Sequence, residues 1–278
     1  MTDPDPPFAS KDVQSTLMRQ TLVDRELIRP HTERPVVRLL SWLHVVTIGG
    51  RSIMDRGRDA VVPVVDELRA AFGEHRMLIA TGAGIRARHV MGVALDLGLP
   101  TGVLASLAAT EAEQNGHIVA ALLAEDGVSY LPHTSVGHQL AGHLAASPAV
   151  VSNGFPPYEM FEFPSPVGKI PQHRTDTGAF LIADAYGAAR VIYVKDVDGV
   201  YTCDPATAAE GEAELIPRVG AAELLAMDLD TLPIDRMVLE LMATAKHQKE
   251  IQIVNGLTAG HVTRALRGEH VGTIIYTD

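Results

Sequence analysis

The sequence predicts an α/β protein: a three-layer α/β/α arrangement on an open, mostly parallel sheet. Two observations carry this expectation. From Arg38 onward, short apolar runs suited to buried strands alternate with amphipathic helical stretches, the pattern of a parallel sheet with helices on both faces. Two of those runs also end in glycine where a helix begins, at Gly49-Gly50 and at Gly82-Ala83-Gly84. With 278 residues, 46% hydrophobic and 21% charged, the chain is long enough for a sizeable core in one large domain or two lobes.

Residues 1 to 35 are rich in Pro, Thr, Arg and Asp, with apolar periodicity only around Leu17 to Leu27, and read as an N-terminal extension. Leu43 to Ile48 forms the first strand and runs into Gly49-Gly50. A helix follows, with Val61, Val65, Leu68 and Phe72 at spacings of three and four; Pro63 falls in its first turns. The stretch RMLIATGAGIRARH, 76 to 89, gives a strand, the second glycine turn, and a helix carrying Arg86, Arg88 and His89. There the backbone N–H groups and the helix dipole point at one spot, which is anion-binding geometry. Alternating units continue through AVVSNGF, TDTGAFLIADAYGA, RVIYVKDVDGVY, PIDRMVLELMATAKHQ, EIQIVNG and VGTIIYTD. Between them, residues 155 to 172 hold five prolines and no helical pattern, predicting a long irregular connection or lobe boundary.

The charge balance narrows the partners. A formal net charge of −11 argues against nucleic acid, which requires a broad basic surface. The single cysteine, Cys203, excludes an intrachain disulfide and reads as incidental. No charged-then-apolar leader and no run of about 18 apolar residues occurs, so the expected location is cytoplasmic.

The most specific stretch is RTDTGAFLIADAYGAARVIYVKDVDGVYTCDP, 174 to 205. It resembles the nucleotide-binding segment of the amino acid kinase superfamily, especially bacterial uridylate kinases. The resemblance spans residues 38 to 278 and implies the fold of that family. It also implies that the loop surrounds adenine and ribose, that Lys195 lies near phosphate, and that Thr175-Asp176 faces the phosphates. The chemistry suits those roles: tyrosine offers a stacking face, a carboxylate accepts from ribose hydroxyls, and lysine is a point charge. Within the superfamily, Met54-Asp55-Arg56-Gly57, TGAGIRARHV (81–90), LDLGLP (95–100), AEQNGHI (112–118), FPPY (155–158), PQHRTDTGAFL (171–181), IVNGL (253–257) and LRGEHVGTII (266–275) are similar to the molybdenum storage proteins, α-subunit type. That resemblance implies a cage of three α and three β chains enclosing molybdate condensed into polyoxomolybdate clusters, with ATP and Mg2+ involved in loading.

Two departures weigh against phosphoryl transfer. Thr47 stands where the family carries a lysine after the first strand, so a charge that would stabilise the transferring group is missing. Pro100-Thr101-Gly102 also lacks the acidic residue that uridylate kinases present to the acceptor ribose.

The histidines add an independent signal. Of the 12, His117, His133, His138 and His143 lie close together in sequence. Thr134 or Ser135 can cap a helix there, and Gln139 and His143, four apart, share one face. Neutral imidazole ligates metals directly and protonated imidazole donates to oxoanions, and the resemblance favours His143 as a cluster ligand. The consecutive histidines that follow FPPY in the α-type chains are replaced by Glu159-Met160-Phe161, which alters any cluster site. His173 and Arg174 read as supporting residues near the nucleotide segment, and Lys246 and His247 as solvent-facing helix residues.

The expectation is therefore an extension (1–35) and an amino-acid-kinase-like domain (36–278), whose 36–170 lobe faces oxoanions and whose 171–278 lobe binds nucleotide. The nucleotide set comprises Gly49, Gly50, Gly82, Ala83, Gly84, Arg88, Thr175, Asp176, Lys195, Asp198, Gly199, Tyr201, Asp204 and Pro205. The metal-facing set is His143, Gln139, His138 and His133, and no catalytic residue is assigned. The implied function is storage of molybdenum or tungsten with ATP-linked loading, in an α3β3 hexamer with a β-type partner or in a homohexamer. Two alternatives remain: a nucleotide or carboxylate kinase, and a non-catalytic nucleotide-binding regulatory subunit.

Overall fold

The computed structural model describes residues 37–277 apart from Val167 and Glu210, so the extension expected over 1–35 lies outside the described residues. In chain order the elements are β1 (Leu43–Ile48), α1 (Arg58–Ala70), β2 (Arg76–Thr81), α2 (Ile85–Asp96), α3 (Thr101–Leu122), β3 (Ser129–Tyr130), α4 (Val136–Ala146), β4 (Ala149–Asn153) and α5 (Thr175–Tyr186). They continue with β5 (Arg190–Lys195), β6 (Val200–Tyr201), β7 (Leu215–Ile216), β8 (Arg218–Gly220), α6 (Ala221–Ala226), α7 (Arg236–Met242), β9 (Glu250–Asn255), α8 (His261–Leu266) and β10 (Thr273–Tyr276). Eight strands form one sheet in the order β3-β4-β2-β1-β5-β9-β10-β8, and only the β9–β10 pairing is antiparallel. β6 and β7 pair separately.

All six residues of β1 are buried, as a parallel strand covered on both faces requires. Leu43 and Val45 pack with Leu140 of α4, Phe180 of α5 and Val238 of α7. Val46 and Ile48 belong to the opposite face, with Val61, Val65 and Leu68 of α1 and Val262 of α8. The apolar spacing in α1 thus faces the sheet as predicted, although Phe72 lies beyond the helix end. Among the described residues, no helix is long and apolar enough to cross a membrane.

Two local expectations are corrected. The helix of α7 stops at Met242, so Lys246 and His247 are not helical. Instead the N–H groups of Lys246, His247 and Gln248 converge on the Asp184 carboxylate of α5, at 3.0, 2.7 and 2.9 Å. Burial alone would push that carboxyl up; the three N–H donors outweigh it and hold Asp184 below its ordinary value. Ser135 occupies the cap position of α4 but its hydroxyl makes no cap bond, because a 3-10 turn over His133–Ser135 already puts its backbone in the helical region.

The 155–172 segment is irregular apart from one 3-10 turn, Glu159–Phe161. Two carboxylate–histidine pairs fasten it: Glu159 to His133 at 3.0 Å and Glu162 to His173 at 2.9 Å.

Candidate functional site

The strand order places β1 between β2, which leads outward to β4 and β3, and β5, which leads to β9. Ligands of open parallel sheets gather at such a reversal, outside the carboxyl ends of the strands. Here that edge holds a cavity of about 490 Å3, lined by both glycine turns, the start of α5, the end of β5 and the segments 196–205 and 230–235. Thirteen of the fourteen residues expected from sequence to form the nucleotide site line it, and the exception is Asp198.

The glycines are demanded first by chain packing. A Cβ on Gly50 would stand 2.2 Å from the nitrogen of Gly84, and one on Gly82 would stand 2.5 Å from the nitrogen of Gly50. The two turns therefore lie back to back, with no room for any side chain between them. In the first turn, no hydrogen bond engages the N–H groups of Gly50, Arg51 and Ser52 among the described residues, while Gly49 N–H donates to Val194. In the second, Ile85 N–H at the start of α2 donates to the Asp55 carboxylate at 2.6 Å.

The cavity floor is a network of opposite charges. Lys195 donates to both carboxylate oxygens of Asp176, at 3.0 and 2.8 Å, and both residues are buried. Asp235 N–H approaches Asp176 at 3.3 Å, and Arg174 donates to Asp235 Oδ1 at 2.5 Å. The second oxygen of Asp235, Oδ2, is buried with no partner among the described residues. Burial, then the neighbouring Asp176, raises the Asp235 carboxyl above its ordinary value; Arg174 and Lys195 act against that shift. Under the floor, Tyr193 donates to the backbone oxygen of Asp176 at 2.9 Å. Burial, with Asp176 and Asp235 nearby, keeps this phenol neutral.

Asp235 and Asp230 escaped the sequence reading. Asp235 directly precedes α7 and reads as a helix cap, yet it makes no side-chain cap bond and turns to Arg174 instead. Only a cap residue that does not cap distinguishes it, and that is invisible in sequence. Arg174, expected as a supporting residue, lines the cavity, as does Cys203. Asp198 does not line the cavity: Asn255 donates to it at 3.0 Å and Tyr201 at 3.3 Å, so it braces the 196–201 turn. Thr47 is fully buried, pairs in register with Ala80 and Tyr193, and leaves its hydroxyl without a partner among the described residues.

The histidine set does not converge. Asn153 donates its amide to Ala109 and approaches His133 Nδ1 at 2.9 Å, leaving His133 Nε2–H to donate to Glu159. Both ring nitrogens are occupied, and His133 braces the 155–172 segment from a buried position. His138 and Gln139 are exposed and His143 is half-buried on α4, with no side-chain partners among the described residues. Gln139 and His143 do share a face, as the spacing predicted. Among the described residues no three His, Cys, Asp or Glu side chains are arranged to hold a metal ion.

A mostly parallel sheet with two glycine turns at its carboxyl edge, beside a buried Lys–Asp pair, defines an α/β class. The chain belongs to the amino acid kinase family, whose model matches residues 42–255. It is 43% identical over 267 residues to the molybdenum storage protein subunit beta of Azotobacter vinelandii, covering 96% of this chain and 98% of that protein. It is 26% identical over 205 residues to the uridylate kinase of Hyperthermus butylicus, covering 72% and 83% of the two chains. Among solved structures, it resembles the uridylate kinase of Archaeoglobus fulgidus with a TM-score of 0.66 at 20% identity, over 84% of this chain and 99% of that one. The UMP kinase of Bacillus anthracis gives 0.65 at 18%, over 88% and 98%. The sequence motifs had pointed to an α-type storage subunit, whereas the 43% relative is a β subunit.

Proposed function

We propose that this chain is a subunit of an assembly that stores molybdenum or tungsten as oxoanion clusters, with ATP held in the cavity beside β1 and β5. The observation that carries this reading is 43% identity across 96% of the chain to a molybdenum storage subunit. The same identity supports a β-type rather than an α-type place, with a complementary subunit or further copies of this chain completing a hexamer.

In this reading the unpaired N–H groups of Gly50, Arg51 and Ser52 receive phosphate oxygens, and Arg51 and Arg88 on the cavity wall offset their charge. Lys195, already paired to Asp176, keeps the floor close to neutral instead of following a transferring group. Tyr201, Asp204 and Pro205 supply the wall for the base and ribose. The Mg2+ that accompanies ATP fits the acids present: Asp235 Oδ2 is buried and unpaired beside Asp176, and magnesium is commonly held by one or two carboxylates completed by phosphate oxygens and water. When bound, it neutralises phosphate charge. Thr47 offers no cation, which favours holding and slow hydrolysis of ATP over transfer to an acceptor. Gln139 and His143 present donors to the oxoanions.

The test is to incubate the purified protein, with any co-purifying partner, in molybdate plus Mg-ATP and then desalt it. Molybdenum per chain is measured by elemental mass spectrometry alongside the mass in solution. Many metal atoms per chain on a hexamer-sized particle, with fewer when ATP is omitted, is the expected result. No retained molybdenum or tungsten overturns the storage reading, and ATP turnover that depends on a nucleotide acceptor puts the kinase reading in its place.

A further inference from the structure

The two glycine turns lie back to back but are not equivalent toward anions. Asp55 links the two from one side. Its own N–H donates to Gly50 at 2.9 Å, which ties it to the first turn, and its carboxylate receives Ile85 N–H at 2.6 Å, at the start of the 12-residue helix α2. The carboxylate also fills the space beside Gly84: a Cβ there would lie 2.6 Å from Asp55 Oδ1, and Gly84 holds φ at +78°. The next residue, Arg56, is tied at 2.5 Å to Asp196, which lines the cavity. Of the arginines on α2, Arg86 is engaged by Glu111 and Asn115, while Arg88 has no partner among the described residues.

We propose that Asp55 is a specificity-determining residue: its carboxylate is a built-in anion at the N-terminus of α2 that denies the second glycine turn to a phosphate group. This deepens the reading of the cavity as an ATP site and rests on it. An N-terminal helix end favours one negative charge through its first N–H groups and its dipole. Here an internal carboxylate supplies that charge, and a phosphate placed against Ile85 would meet a like charge at contact distance. The cavity therefore takes the phosphates of one nucleotide, at the first turn, and rejects a phosphate-bearing acceptor at the second. Thr47 removes a cation from the transfer path, and Asp55 removes the seat of the group that would receive the phosphoryl.

The experiment counts inorganic phosphate bound per chain by equilibrium dialysis with labelled phosphate, for the wild type, Asp55→Asn and Asp55→Asn/Ile85→Pro. Asparagine keeps the side-chain volume and loses the charge; its neutral amide oxygen is a weaker acceptor than phosphate, so an anion can displace it from Ile85 N–H. Proline is well suited to the first helical position and removes the N–H that phosphate would use. The expected result is one additional phosphate per chain in Asp55→Asn, bound at least about tenfold more tightly than any second phosphate on the wild type. The double variant should lose it again. Equal counts in the wild type and Asp55→Asn, or an added phosphate that survives Ile85→Pro, overturn the proposal. Failure of the ATP reading is separately visible as no binding of Mg-ATP by the wild type, and leaves the phosphate counts unaffected.

Discussion

The cavity floor and the outer face of α4 use polar side chains in opposite ways. On the floor, Lys195, Asp176, Arg174 and Asp235 are already engaged with one another, and burial strengthens the Lys195–Asp176 pair above all. On α4, Gln139, His138 and His143 have no partner among the described residues. The difference teaches which residues a substitution reaches through folding and which through binding alone. Removing a paired buried charge leaves its partner stranded, while removing an unpaired exposed group leaves the fold untouched.

The largest expected effect breaks the floor. Lys195→Met leaves Asp176 and Asp235 facing each other without their lysine, and is expected to cost about 3–5 kcal/mol in urea unfolding. Lys195→Met/Asp176→Asn is expected to cost much less than the sum of its single changes, because both members of the pair go together. Additive losses would show that the pair is not coupled.

A second effect lies at the other end of β1. His44 packs against His75 with ring centroids 4.5 Å apart, and its Nδ1 donates to Trp42 at 3.2 Å. Burial, then the charge of His75, pushes its pKa down to about 4, with the Trp42 carbonyl acting the other way. The sign follows: between about 4 and 6.5 the unfolded chain binds this proton and the folded chain does not, so stability rises with pH across that window. Acidification from pH 6.5 to 4 is expected to remove stability on the order of 3 kcal/mol through this group. His44→Gln should flatten that part of the profile in denaturant titrations at several pH values, and an unchanged slope would sink the assignment.

The parts that were legible in sequence are those governed by local rules. The strand-to-glycine junctions and the 174–205 segment combine period, turn chemistry and order along the chain, and the parallel sheet brings them to one edge almost intact. The parts that were not legible depend on which partner a side chain meets. Asp198 carries a family-like motif yet is held by Asn255, a residue 57 positions later. Asp235 looks like a cap and serves the cavity, whereas Asp184 looks like an ordinary helix residue and anchors the 246–248 turn. His133, His138 and His143 are close in sequence, but a 3-10 turn and one helix send them to different surroundings. Sequence proximity set an upper bound on that cluster, and the tertiary fold divided it.

That division supplies the smallest and sharpest test. His133 and His143 are ten residues apart and chemically identical, so any difference between them comes from environment. His133→Ala removes an acceptor from Asn153 and a donor from half-buried Glu159, and is expected to cost about 2 kcal/mol in unfolding. His143→Ala removes a half-buried ring with no partner, and its stability should stay within about 0.5 kcal/mol of the wild type. Molybdenum retained per chain after loading should reverse that ranking: unchanged in His133→Ala wherever the protein remains folded, and reduced in His143→Ala at unchanged stability. Equal retention in the two variants would remove α4 from the oxoanion site, while a loss confined to His143→Ala would tie cargo to a residue the isolated fold leaves unpaired.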